Sequence, residues 1–309
     1  MTVARGNGSG TKGAPRILIG VAYAVFVVLG LGVAVPAQDR PLPDLESFLK
    51  ELRKTLHTDR VLLSQYTYLD KRTEHSLDKK GRVTKTEVEV REMYPSLEQD
   101  LGYTRLISRN GQPVDPKDLE EKDGEQQRKV LERARKMERE TAAAKEKRLA
   151  KEAEERRKEN ETIDEAFALY AVSMKGRDMV DGHEAIVLEF RPRPAFKVKT
   201  DAGKILKKLS GRAWINERDH ELIRIEVDLV DTVSIGLGML AKLNPGAHAV
   251  FQRRLVNNEI WLPAETRFTG TARVLLVKGM RMDISSEYSG YKKFSVETAT
   301  TFSSPKATP

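Results

Sequence analysis

Five histidines are the first place to look for chemistry: His57, His75, His183, His220 and His248. No HExxH pair occurs and no two of them lie within four residues, so one helical turn cannot aim two imidazoles at one metal ion. Asp219-His220-Glu221 and His183-Glu184 mix imidazole with carboxylate. Both fall where hairpin turns are expected, and turns collect polar side chains for backbone reasons. The sequence has no cysteine. That excludes a disulfide, a thiolate metal site and a cysteine nucleophile. No GxSxG elbow, phosphate-binding loop or GxGxxG turn is present. Carboxylates are plentiful, but no pair is set apart by its spacing for acid–base work. The residues therefore point away from an enzyme, and no metal or cofactor is expected.

Two stretches remain that could contact a ligand. Arg191 to Arg212 holds eight bases and one acid. Arg193, Lys197, Lys207 and Lys208 are its candidates for meeting an anionic headgroup or membrane surface. The competing reading is a solvated loop between strands. Export and the lack of interleaved aromatics argue against nucleic acid. Val233 to Leu243, VSIGLGMLAKL, is apolar and contains glycine and methionine. It reads as a buried strand or bend, or as an adaptable cavity wall in which Met239 and Leu240 fit varied shapes.

These segments need elements to position them. Leu45, Phe48, Leu49, Leu52 and Leu56 form one helical stripe after Pro41-Leu42-Pro43, with Asp44 as N-cap. Val83–Tyr94 alternates Thr84, Thr86, Val88 and Val90 with Lys85, Glu87, Glu89 and Arg91, which predicts a half-buried strand. Residues 64–76 are its expected hairpin partner, and 102–108 a third strand closed by Asn110-Gly111. From Phe167 to Phe294 strand signals recur about every ten residues. Asp181-Gly182, Asn216–Glu221 and Asn257-Asn258 supply turns. Residues 117–165 differ in kind, with 16 acids and 15 bases in 49 positions. Glu-to-base pairs such as Glu125/Lys129 and Glu154/Lys158 suit one long helix held by its own ion pairs. Its use would be a coiled-coil contact, but no three heptads keep apolar a and d positions, and a solvated helix is favoured.

The whole chain has 309 residues and a formal net charge of +8. That length suffices for a proper core, and the mild basic excess permits an anionic surface without demanding one. Three bases (Arg5, Lys12, Arg16) precede the apolar run 17–35, and Val35-Pro36-Ala37 has a small-residue cleavage pattern. This is the order of a secretory signal, with an uncleaved membrane anchor as the alternative. Either places residues 38–309 outside the cytoplasm, in the periplasm, anchored to the inner membrane if uncleaved. Gln38 stands near the place where a lipid-modified cysteine would sit. The expected organisation is signal or anchor 1–37, helix and first strands 38–116, charged helical insertion 117–165, main sheet 166–296 and disordered tail 297–309. The fold class is α+β, a large curved antiparallel sheet around an N-terminal helix.

Three short motifs then occur in order. Gly211-Arg-Ala-Trp-Ile-Asn216 followed by Ile223-Arg-Ile-Glu226 resembles the G-x-x-W-I-D hairpin of outer-membrane lipoprotein-sorting-like proteins. Glu259-Ile-Trp-Leu-Pro263 resembles their W-L-P step, and Tyr288-Ser-Gly-Tyr-Lys-Lys-Phe294 their closing strand. The resemblance is to the LolA/LolB/RseB superfamily and covers residues 165–296, with 44–108 matching by pattern. It implies an unclosed β-barrel and a concavity that holds lipid or lipoprotein acyl chains. The charged insertion is extra to the family, and the carriers' lid-controlling arginine has no counterpart. On this reading the cavity lining is Leu45, Phe48, Leu49, Leu52, Trp214, Ile225, Val227, Met239, Leu240 and Trp261. The partners are a lipid or acyl chain, a membrane surface and an envelope protein. The alternatives are an envelope interaction protein working through the charged helix, and a hydrolase with a dispersed site.

Overall fold

The computed structural model describes residues 40–56, 60–98, 101–235, 241–274 and 278–294. The expected export segment, the expected tail, His57, Met239 and Leu240 lie outside them. The elements below belong to one unit, Pro43–Pro309. Its helices are α1 (Leu45–Thr55), α2 (Arg60–Leu63), α3 (Pro116–Glu138), α4 (Ala142–Leu169) and α5 (Asp201–Leu206). The first strands are β1 (Tyr66–Leu77), β2 (Val83–Tyr94), β3 (Tyr103–Arg109) and β4 (Gln112–Pro113). After α4 come β5 (Tyr170–Val180), β6 (His183–Pro192), β7 (Leu209–Asn216), β8 (Leu222–Leu229), β9 (Val233–Ile235) and β10 (Ala241–Leu243). The chain closes with β11 (His248–Val256), β12 (Ile260–Val274) and β13 (Lys278–Lys293). Among the described residues no helix is long and apolar enough to cross a membrane.

Among the described residues thirteen strands form one antiparallel sheet, ordered β4-β3-β2-β1-β13-β12-β11-β8-β7-β6-β5, with β10 on β12 and β9 on β10. The sheet is not closed. Its edges, β4 and β5, are consecutive in the chain, so α3 and α4 carry the backbone from one open edge to the other. The most remote pairing among the described residues is β1 on β13, which joins the first strands to the last. Short turns join β1–β2, β3–β4, β5–β6, β7–β8 and β11–β12. Asn110-Gly111 and Asp181-Gly182 hold positive φ at both central residues, the geometry whose twist matches paired strands. β7 and β8 approach so closely that a Cβ at Gly211 would collide with the Glu226 carbonyl oxygen.

Asp44 starts α1 by accepting from the Ser47 amide at 2.9 Å. The stripe read from sequence then turns Phe48 and Leu52 onto the sheet, where they are buried against Ile186, Leu188, Phe190, Ala213 and Ile215. Full burial of each side chain contributes about 1.5–3 kcal/mol. The far end of α1 is tied to the β7–β8 turn, because the Thr55 hydroxyl donates to the His220 carbonyl at 2.6 Å. The His220 ring also lies 4.9 Å from Phe48.

The charged insertion is two helices rather than the single one expected. Thr141 breaks it by capping a new start, accepting from the Ala144 amide at 3.2 Å. The first turns of α3 are fixed by a buried ionic knot. Arg105 on β3 donates to Asp123 at 3.0 Å and to Glu92 at 3.0 Å, and Tyr103 donates to Asp123 at 2.8 Å. The end of α4 is fixed by Glu165, whose carboxylate accepts from the Thr200 amide at 3.1 Å and from the Lys199 amide and the Thr200 hydroxyl. Those bonds hold the Glu165 carboxyl below its ordinary range. Between these anchors most residues of α3 and α4 are exposed, with internal pairs such as Arg157–Glu161 at 2.7 Å.

Candidate functional site

Strand alternation builds the floor of the site. Ile186, Leu188 and Phe190 on β6 and Ala213 and Ile215 on β7 face α1. Register carries the same face onward. Ile225 on β8 stands opposite Ala213 on one side and Phe251 of β11 on the other. Val227 pairs with Ala249, Ala249 with Phe268 of β12, and Phe268 with Ile284 of β13. The helix α1 covers the β6–β7 end. Past it, a cavity of about 390 Å³ opens, lined by Ile225, Val227, Phe251, Phe268, Ile284 and Tyr288, with Asp70, Arg72, Thr266 and Ser286. That volume lies within the range of small-molecule sites.

Beyond the cavity the face becomes ionic. Asp70 of β1 stands opposite both Tyr288 and Arg91 of β2, and Arg72 opposite Ser286 and Glu89. Glu89 in turn pairs with Arg109 of β3 at 2.8 Å and with Arg91, while Arg72 bonds Glu74 at 3.1 Å. This corrects the sequence reading of β2. The set Lys85, Glu87, Glu89 and Arg91 shares the concave face, and the Thr/Val set lies on the other. The physical reason is pairing: these charges neutralise one another across β1, β2 and β3, so the face carries them without an apolar lid.

The border between the two halves is strongly desolvated. Asp70 is 6 % exposed, and Tyr66, Tyr68 and Ser286 are buried nearby. Burial first, with Tyr288 and Asp70 adding to it, pushes the Tyr68 phenol up to about 12. The Tyr68 ring sits 5.9 Å from Tyr288 and 5.8 Å from Tyr291.

A second cavity of about 770 Å³ lies between α2 and the strand ends, lined by Leu56, Leu62, Leu63, Leu255, Trp261 and Leu262 among others. Phe251 and Tyr68 bring it to the border of the first, and Phe251 lines both. Its polar wall includes Glu221, bonded to Arg253 at 2.9 Å. Burial raises the Glu221 carboxyl against the pull of that arginine.

The sequence-predicted lining divides. Phe48 and Leu52 are consumed in packing, with Leu45 and Leu49 partly buried beside them. Ile225 and Val227 line the first cavity and Trp261 the second. Trp214 does not join them. Its neighbours Ala213 and Ile215 take the α1 face, so Trp214 points to the opposite one, with Val180, Val187, Ile223 and Trp261. There its indole donates to Asp178 at 2.9 Å, under the Arg224 guanidinium at 5.4 Å. Of the four candidate headgroup bases, three are bonded to main-chain carbonyls. Arg193 donates to Ala168 at 2.5 Å, Lys207 to Phe196 at 2.7 Å, and Lys208 to Thr232. Lys197 is exposed. Asp219 accepts from the Trp261 indole at 3.0 Å, within the turn where sequence placed it. Among the described residues no three His, Asp or Glu side chains converge as a metal site. Sequence reasoning missed Phe251, Phe268 and Asp70. The alternation of Ile284, Ser286 and Tyr288 was the signal that could have led to them through register.

No protein-family model matches the chain, and no curated protein matches it. Solved structures do. One is an outer membrane lipoprotein-sorting protein domain from Vibrio parahaemolyticus, at 10% identity and TM-score 0.33 over 82% of this chain and 93% of that one. Another is a LolA superfamily protein from Nitrosomonas europaea, at 10% identity and TM-score 0.26 over 82% and 96%. A third is the MucA/MucB complex of Pseudomonas aeruginosa, at 8% identity and TM-score 0.20 over 81% and 99%. Likenesses of this size add nothing to the functional argument, which rests on the concave face.

Proposed function

We propose that the protein is a non-enzymatic carrier or sensor that binds the acyl chain of a lipid or lipoprotein on its concave face, in the periplasm. One observation carries this reading: the apolar floor continues past the reach of α1 into a cavity lined by Ile225, Val227, Phe251, Phe268 and Ile284. Apolar side chains facing open space gain from any chain that covers them, by about 0.8 kcal/mol per methylene. The ionic half on β1–β3 suits the polar end of the same molecule. Lys197 and the surrounding basic segment offer a contact with an anionic membrane surface. The test is titration of the full chain with a fluorescent fatty-acid analogue. Saturable binding competed by unlabelled single-chain lipid is expected. Failure of any amphiphile to bind contradicts the reading.

A second reading has its own observation. Val130, Leu131, Met137 and Leu149 on α3 and α4 are 40 to 56% exposed. Apolar residues on otherwise charged, outward helices suit an envelope protein partner. Replacing Val130, Leu131, Met137 and Leu149 together by serine would then abolish that association while leaving amphiphile binding in place.

A further inference from the structure

We propose that the Asp70 carboxyl receives a primary ammonium group at the polar end of the bound amphiphile. This rests on the amphiphile reading of the concavity and names the chemistry at one end of it. Asp70 lines the first cavity, and its side chain keeps only 8% exposure. Its Oδ1 is buried with no hydrogen-bond partner, alone in this among the described residues. The closest cation, Arg91 Nη1, stands 3.8 Å from Oδ2, an ion pair but too long for a hydrogen bond. Arg91 is shared with Glu89, and Arg72 is bonded to Glu74 at 3.1 Å. On the other side the Tyr288 hydroxyl lies 3.5 Å from Thr266 Oγ1.

A buried carboxyl without a donor is costly, and such groups in native proteins call for a specific explanation. Desolvation strengthens any donor that arrives, above all a charged one. The position fits an amphiphile as well. Asp70 sits where the apolar row of β8, β11, β12 and β13 meets the ionic row of β1–β3. A chain lying along the floor would end its hydrocarbon at this border. The ligand group must carry N–H bonds, because a quaternary nitrogen brings charge but no donor.

The test uses two single-chain lipids with the same acyl chain, one a phosphoethanolamine and the other a phosphocholine, titrated calorimetrically into the full chain. The phosphoethanolamine is expected to bind about tenfold more tightly or better, the scale of one hydrogen bond to a charged group. In Asp70→Leu the ratio should fall to within about twofold. Equal affinities in the wild type overturn the assignment, as does a ratio that survives Asp70→Leu. Should that variant fail to fold, the wild-type ratio decides alone. If neither lipid binds the wild type, the amphiphile reading fails and takes this inference with it. Equal binding of both removes the role of Asp70 only.

Discussion

Phe251 is the side chain shared by the two cavities, with Ile225 on one flank and Thr266 on the other. Enlarging it should close the space without disturbing the α1 core. Phe251→Trp is expected to weaken amphiphile affinity about tenfold while leaving the unfolding midpoint within a few degrees. Unchanged affinity would move the site elsewhere. Phe48 gives the opposite case, because it packs rather than lines. Phe48→Ala should cost about 3–5 kcal/mol in denaturant unfolding, the range for a buried aromatic. Tyr68 adds a pH signature. Its phenol titrates near 12 in the fold and near 10 when unfolded, so the stability it contributes is complete below pH 10. That stability is lost as pH rises from about 10 to 12, up to about 2–3 kcal/mol. Denaturant unfolding at pH 9 and pH 11, with Tyr68→Phe as control, reads this difference. At this scale Trp214 shows where sequence misleads. Ala213, Trp214 and Ile215 are consecutive and all buried, so alternation does not say which faces inward. A register shift between Trp214 and Ile215 further separates the two faces, leaving Ile223 beside Trp214 and Leu222 beside the α1 core.

Among the elements, α1 was fully legible: an N-cap, one apolar stripe and a proline before it. β2 was legible as a strand, Val83–Tyr94, but not in its orientation. Apolar-inward is the ordinary rule, and it fails here because Glu89 finds Arg91 along its own strand and Arg109 across the sheet. Those partners are 2 and 20 residues away, and only register brings the second within reach. The charged insertion was legible as helix, while its break at Thr141 was hidden by strong helix formers on both sides. Its attachment was hidden too, since Arg105 and Asp123 are ordinary charges in sequence. Arg105→Ala strands the Asp123 carboxylate in a buried site. The expected cost is about 3–5 kcal/mol, the range for removing one partner of a buried ion pair. Hydrogen exchange should show it as faster exchange confined to the first turns of α3 and to β3. Exchange unchanged in α3 would mean the knot does not hold the insertion.

On the scale of the whole molecule, the unclosed antiparallel sheet follows from many short strands, tight turns and one apolar face per strand. The strand order does not follow from those signals. The β1–β13 pairing joins residues about as far apart in sequence as the sheet allows, and it places Asp70 beside Tyr288. Without it the apolar floor and the ionic row would not share a face. The same pairing leaves β4 and β5 as the edges, so that α3 and α4 must span the opening. The amphipathic concavity is thus a property of the assembled sheet, spread over seven strands, and no single motif announces it. The most direct measurement of that property is native mass spectrometry of the full chain, purified without detergent and then offered a single-chain lipid. One lipid per protein is expected, displaced by Phe251→Trp. A protein that arrives empty and stays empty at saturating lipid would contradict the concave face as a binding site.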